Sequence, residues 1–166
     1  MSDSAPTLHM LCGKIASGKS TLAAELANAR NTVLIAEDTW LDALYGDSMQ
    51  TVADYVNFAG KLRRVIGPHI TDLLSSGVSV VLDFQANTVE SRSWMRGLLG
   101  STGAVHQLHV LDVPDEVCLT RLEHRNSQGE HPFSVTEQQF MQVSKHFVMP
   151  TEDEGLQIVW HGGNSV

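Results

Sequence analysis

The sequence predicts an α/β protein: a parallel five-stranded sheet with helices on both faces, in a compact three-layer α/β/α domain. Three observations lead there. Short apolar runs alternate with helical patterns through all 166 residues, without repeats or low-complexity linkers. The runs are near-continuously apolar, as strands covered on both faces must be. A glycine-rich turn follows the first run directly and opens onto a helical pattern.

Thr7 to Cys12 reads as a buried strand, followed by that turn and a helix from Lys19 to Ala29. Thr32 to Ala36 is a second strand, leading into a short helix from Thr39 to Tyr45. A longer helical pattern runs from Val52 to Leu74; Gly67-Pro68 is expected to kink or divide it, and Gly77 to stop it. Ser79 to Asp83 is a third strand, Ser91 to Leu99 a helix, and Val105 to Val113 a fourth strand. Asp115 to Arg125 reads as a helix and Asn126 to Pro132 as a polar loop. Ser134, with Glu137 three residues later, has the form of a capping box for a helix reaching Phe147. Leu156 to Trp160 is the last strand. The whole, residues 1–166, fits one domain.

Composition narrows the function classes. Apolar residues make up 42% of the chain, which excludes a disordered tail, and no apolar run is long enough to span a bilayer. The start, Met1-Ser2-Asp3-Ser4-Ala5-Pro6, lacks the basic and apolar parts of a secretory signal, so a cytoplasmic setting is expected. Cys12 and Cys118 lie far apart and form no CxxC pair, which reads as two buried thiols. Nineteen acidic against eleven basic side chains give a net charge of −8, a balance that repels a phosphate backbone and argues against a nucleic-acid partner. The eight histidines contain no HxH and no i,i+4 pair. The closest two, His106 and His109, would face opposite sides of a strand, so ordinary core and surface roles outweigh a metal site.

The chemistry sits in Gly13-Lys14-Ile15-Ala16-Ser17-Gly18-Lys19-Ser20, an intact GxxxxGKS followed by Thr21. Phosphate oxygens need several backbone N–H donors converging on one point, and glycines let the chain curl that tightly. The helix opening at Lys19 adds free N–H groups and the positive end of its dipole. Lys19 is expected to reach the β- and γ-phosphates of ATP, and the Ser20 hydroxyl to ligate Mg²⁺. The third strand ends in Asp83, which would stand beside the magnesium shell, although an acid there also suits a helix cap.

The residues after Asp83 bear on the reaction. Phe84 and Gln85 stand where hydrolytic ATPases commonly carry a water-activating glutamate, and neither can take a proton. No NKxD or TKxD for guanine is present. A substrate hydroxyl then replaces water as acceptor and needs a base, for which Asp38, just past the second strand, is the best candidate. The alternative makes Asp38 the N-cap of a helix beginning at Thr39. Glu37 would point away if the strand continued that far, and Asp42 stands one helical turn on from Asp38.

With GxxxxGKST, Ile35-Ala36-Glu37-Asp38 and Val80-Val81-Leu82-Asp83, the chain resembles the small P-loop kinases. It is similar to the zeta-toxin-like and chloramphenicol-phosphotransferase-like ATP-binding proteins, and more distantly to polynucleotide 5′-kinases. Arg121, Arg125 and the stretch Phe147-Val148-Met149-Pro150-Thr151-Glu152-Asp153-Glu154-Gly155 are similar to bacterial members of this group. The resemblance implies a P-loop NTPase fold with strand order 2-3-1-4-5 and an acceptor-facing aspartate, matched by Asp38. It also implies an arginine-bearing lid over the phosphates, matched by the region of about 121–135. Polynucleotide kinases pair their aspartate with an arginine three residues later; here that position is Leu41, which again argues against a nucleic-acid 5′-end.

Arg121 and Arg125 share one helix face before a polar loop, as a phosphate clamp or a solvated helix end would. Asn87, Arg92 and Arg96 follow the third strand and could touch an acceptor or serve structure. Trp40, Tyr55 and Phe58 could wall the acceptor pocket or belong to the core. The reading is an ATP- and Mg²⁺-dependent phosphotransferase acting on a hydroxyl of a small molecule. The alternatives are a polynucleotide or nucleotide kinase, and an ATP-dependent switch without kinase activity.

Overall fold

The computed structural model describes residues 4–129 and 133–162. Five strands form one parallel sheet: β1 (Thr7–Cys12), β2 (Thr32–Ala36), β3 (Ser79–Asp83), β4 (Val105–Asp112) and β5 (Ile158–Gly162). Their order is β2-β3-β1-β4-β5, as expected. The helices are α1 (Lys19–Ala27), α2 (Glu37–Tyr45), α3 (Val52–Ser75), α4 (Val89–Gly97), α5 (Asp115–Gln128) and α6 (Glu137–Ser144). None of them is long and apolar enough to cross a membrane.

The period-two alternation of each strand divides the core in two. Leu8, Met10 and Cys12 of β1 join Val80, Leu82, Leu108 and Val110 on one face, packed against Ile66, Ile70 and Leu74 of α3 and Met95 of α4. On the opposite face Leu11 and Val81 meet Ala23 of α1, with Leu22 and Leu26 alongside. A smaller cluster joins Cys118 and Leu122 of α5 to Phe140 of α6 and carries Ile15 and Ala16 of the glycine-rich turn. Cys12 and Cys118 are both buried free thiols.

Several local expectations change. Pro68 does not divide α3, which runs unbroken from Val52 to Ser75 because Ile66, Ile70 and Leu74 anchor it to the sheet on both sides of the proline. The stop at Gly77 holds: at φ 82° it donates to Leu74 C=O (3.0 Å), and Val78 donates to Leu73 C=O (3.0 Å), a Schellman closure. The capping box lies two residues later than Ser134 and Glu137, with Thr136 and Gln139 exchanging the bonds, and α6 ends at Ser144 rather than Phe147. Asn126 to Gln128 continue α5 instead of starting a loop. Glu130, His131 and Pro132, within the expected lid, lie outside the described residues.

The fold also assembles histidines that are distant in sequence. His9 Nδ1 and His109 Nε2 are 3.0 Å apart, and His109 Nδ1 and His161 Nε2 are 2.9 Å apart, a hydrogen-bonded row across β1, β4 and β5. His106 lies an odd number of residues from His109 and takes the other face, where its Nε2 accepts from Gln157 N–H (3.0 Å). Among the described residues no group of three or more His, Cys, Asp or Glu side chains is arranged to hold a metal ion.

Candidate active site

Parallel strands put the carboxyl ends of β1, β2 and β3 along one edge, and the register sets Ala36 beside Asp83. The turn after β1, the start of α2 and the acid ending β3 therefore converge. The turn is tight: Ser17 N–H donates to Lys14 C=O (3.1 Å), with Ala16 at φ 62° and Gly18 at φ 102°. Left-handed residues at alternate positions of a tight turn are the backbone pattern of an anion-binding nest. Gly13 is a requirement here, since a Cβ would collide with Ser17 Oγ and crowd Leu111 C=O at 3.2 Å.

Lys19 opens α1 and is only 9% exposed. Its Nζ donates to Gly13 C=O (2.6 Å) and Lys14 C=O (2.8 Å), so the ammonium is held by its own loop. Burial pulls its pKa down to about 8, against the opposing pull of Asp83 and Asp38. Ser20 Oγ donates to Asp83 Oδ2 at 2.8 Å, which brings together the hydroxyl and the carboxylate that could hold Mg²⁺. Among the described residues Ser17 Oγ, buried inside the cradle, has no hydrogen-bond partner, and a phosphate oxygen would satisfy it. Lys14 turns outward to Asp115 Oδ1 (2.6 Å) and stands 5.8 Å over the Phe147 ring.

Asp38 is not an N-cap. α2 begins at Glu37, its cap position is Ala36, and no side-chain cap bond is made. Asp38 instead accepts from the Tyr55 hydroxyl through Oδ1 (3.1 Å), and its charge acts on Lys19, Tyr55, Glu37 and Arg125. The Tyr55 phenol is driven far above its ordinary pKa, first by burial and then by that carboxylate, so it stays a donor.

Glu37 corrects a second expectation. The strand stops at Ala36, so alternation no longer applies, and Glu37 turns inward to 2% exposure. Arg63 of α3 grips it through Nε (3.0 Å) and Nη2 (3.4 Å). Burial raises the Glu37 pKa, opposed by the Arg63 charge. The guanidinium lies 5.2 Å from the Trp94 ring and 5.8 Å from the Phe84 ring. Glu37, Tyr55 and Arg63, with Gln85, Asn87 and Thr88, line a cleft of about 150 Å³, walled by Val143 and Phe147. A second opening, about 330 Å³, lies along Ser17, Gly18, Thr21, Leu22, Glu25 and Arg121.

The two arginines of α5 separate in role. Arg121 Nη1 donates to Ser17 C=O (3.3 Å) at the flank of the glycine-rich turn. Arg125 lies within reach of the Asp38 charge; among the described residues its buried Nε has no hydrogen-bond partner, and burial lowers its pKa while Asp38 opposes the shift.

The weaker candidates fare differently. Arg92 is 1% exposed and does not face a ligand: it donates to Glu154 from Nε (2.6 Å) and Nη2 (2.8 Å), and to Ala86 C=O (3.0 Å) and Val148 C=O (2.8 Å) from Nη1. Arg96 Nη1 donates to Glu154 C=O (2.6 Å). The Asn87 amide is engaged by Gly13, Oδ1 accepting from its N–H (2.9 Å) and Nδ2 donating to its C=O (2.8 Å). Asp42 is exposed and lines neither opening. Of the aromatics, Tyr55 lines the smaller cleft, Phe58 stacks on Tyr45 at 4.3 Å, and Trp40 is 40% exposed. Arg63 was invisible to the sequence reading, because nothing in the spacing of α3 marks it as Glu37's partner.

Comparison with known proteins bears on the fold. A search of curated proteins returns no match. Among solved structures the fold is similar to a chain of the Pnkp1/Rnl/Hen1 complex, at 24% identity and a TM-score of 0.59, covering 70% of this chain and 38% of that one. This chain thus spans well under half the length of that relative. It is also similar to a sugar kinase from a Janibacter species, at 15% identity and a TM-score of 0.64, over 95% of this chain and 85% of that one. A third likeness is the APS kinase of Mycobacterium tuberculosis in complex with AMPPNP and APS, at 22% identity, a TM-score of 0.53 and 75% of each chain. These are likenesses of fold alone, a kinase-like P-loop fold. The family model described as an AAA domain matches residues 8–150, and the chain belongs to that family.

Proposed function

We propose that the chain is an ATP-dependent phosphotransferase that moves the γ-phosphate to a hydroxyl of a small molecule seated in the Glu37–Arg63 cleft. The position of Asp38 carries this reading. It is bonded to Tyr55 on the cleft side, and its charge reaches Lys19 on the phosphate side and Arg125 of α5. A carboxylate between an acceptor pocket and a phosphate cradle can orient a hydroxyl and take its proton as the phosphoryl group arrives. Lys19 would exchange its two loop carbonyls for phosphate oxygens, and Arg125 would offer its unpartnered Nε to the charge in transit. Bound Mg²⁺ would supply neutralisation of the phosphoryl oxygens, held by Ser20 and Asp83. The small cleft, about 150 Å³, admits a sugar-sized group or smaller, and likeness to a sugar kinase and an APS kinase supports a small acceptor. The finer grouping with zeta-toxin-like and chloramphenicol-phosphotransferase-like kinases, a lid over about 121–135 and a cytoplasmic setting belong to the same proposal.

The fold likeness to a chain of the Pnkp1/Rnl/Hen1 complex supports a second reading, a polynucleotide acceptor. Leu41 and the net charge of −8 stand against it: Leu41 is fully buried and offers a backbone phosphate nothing. Incubation with γ-labelled ATP and panels of sugars, nucleosides, antibiotics and 5′-hydroxyl oligonucleotides separates the two. Label on a small molecule with none on oligonucleotides is expected. Transfer to oligonucleotides alone reverses the choice, and ATP binding without transfer to any class would favour a switch.

A further inference from the structure

Asn87 and Phe147 edge the cleft, but no chemical step above uses the Phe147–Gly155 stretch or the Asn87 amide, and together they form one bonded chain ending on the phosphate loop. Gly155, at φ 63°, lets Arg96 approach to 3.1 Å from where a Cβ would sit. Arg92 and Arg96, one helical turn apart on α4, both hold Glu154, by its carboxylate and its carbonyl respectively. Arg92 then bonds the carbonyls of Ala86 and Val148, fixing the residues on either side of the next link. Val148 N–H donates to Asn87 C=O (2.8 Å), and the Asn87 side chain holds both the N–H and the C=O of Gly13.

The Gly13 carbonyl at the end of this chain is also the acceptor of Lys19 Nζ at 2.6 Å. When Lys19 turns to a phosphate it must leave that carbonyl, and a buried acceptor left unpaired costs free energy. The Asn87 Nδ2 donor stays behind, so Gly13 C=O keeps a partner in both states. Oδ1 of the same amide holds the Gly13 N–H, so the first peptide of the loop keeps its orientation whether or not Lys19 is bound to it.

We propose that Asn87 is a positioning residue for the phosphate loop, with Glu154, acting through Arg92 and the Val148 peptide, as its buttress. Resting on the ATP-binding reading above, this assigns the Asn87 side-chain amide, although the residue also edges the cleft, to the nucleotide side of the site.

The test is MgATP affinity measured by calorimetry on the full chain, with the thermal midpoint recorded beside it. Asn87→Asp is nearly isosteric and keeps the acceptor for Gly13 N–H but replaces the donor with a second acceptor facing Gly13 C=O. A roughly tenfold weaker Kd is expected from an unpaired buried carbonyl. Glu154→Gln keeps the hydrogen-bonding shape with less charge and should weaken ATP about two- to threefold with the fold intact, which provides a reading if Asn87→Asp does not fold. For whichever small molecule the labelling screen identifies, KM for ATP rises while KM for the acceptor stays within about twofold. Lower thermal midpoints with unchanged ATP affinity overturn the proposal, because Asn87 is then purely structural. A raised acceptor KM at constant ATP affinity also overturns it, returning Asn87 to the acceptor. A wild-type chain that binds neither MgATP nor pyrophosphate overturns the nucleotide reading itself, and this inference with it.

Discussion

The Tyr55 hydroxyl donates to Asp38 Oδ1 at 3.1 Å, joining the first turn of α3, at the cleft, to the first turn of α2. The bond orients the Asp38 side chain, while Tyr55, buried and beside a negative charge, cannot ionise near neutral pH. It also accounts for the absence of a capping role: the oxygen that could have turned back to the helix start is bonded across to α3.

Asp38→Asn keeps the size of the side chain and a carbonyl oxygen for Tyr55. ATP affinity should change little, and phosphoryl transfer should fall by roughly a hundredfold to ten-thousandfold, the usual share of a general base. Single-turnover transfer measured beside ATP affinity checks this. Full transfer by the folded variant removes Asp38 from the chemistry and leaves the phosphate cradle standing.

Lys19→Ala should weaken MgATP binding by about tenfold or more, the loss of a charge-assisted contact. The ammonium has a second signature. Burial sets its pKa near 8 before ligand arrives, so above that pH the free protein loses the charge that a phosphate requires. Wild-type Kd should therefore rise as pH climbs through 8 to 9.5, by at most about tenfold per unit. A flat profile refutes the lowered pKa.

Arg125→Ala should lower the maximal rate by roughly ten- to a thousandfold with a smaller effect on ATP affinity, since its contribution falls on charge in transit. Among the described residues the buried Nε has no hydrogen-bond partner to lose, so the thermal midpoint should hold or rise. A large drop in stability with unchanged rate would mean a structural arginine.

Glu154→Ala strips the carboxylate from a guanidinium that is 1% exposed. Breaking one side of a buried pair costs about 3 kcal/mol, tempered here by the two carbonyls that Arg92 retains. Urea unfolding of Glu154→Ala against wild type measures it, and a loss below about 1 kcal/mol would show that the carbonyls suffice.

The histidine row makes stability depend on pH. Burial, with His9 and His161 adding to it, pushes the His109 pKa down to about 4, whereas an unfolded histidine takes its proton near 6.5. The unfolded chain therefore binds the proton first. The contribution is fully present above about pH 6.5 and lost as pH falls toward 4, up to about 3 kcal/mol for this group. His109→Gln removes it, so the pH dependence of unfolding should be flatter for the variant over that window. Parallel profiles would rule the row out as the cause.

Sequence alone determined much of this protein because the signals were local. The apolar runs placed β1, β2 and β3 to the residue, and the glycine spacing of residues 13–20 placed the phosphate loop, since both depend on neighbours along the chain. Cap registers were less legible: Thr136 displaced Ser134 because two overlapping polar patterns were available and packing of Phe140 chose between them. What only the tertiary structure decided was partnership across elements. Glu37 found Arg63 on α3, Asn87 found Gly13, Arg92 found Glu154, and His9, His109 and His161 met across three strands. Such pairs are set by the parallel sheet, which brings strand ends together that are separated by whole helices. No spacing along the chain encodes the distance between two side chains on different elements, so a site's local motif is readable in advance and its wider shell is not.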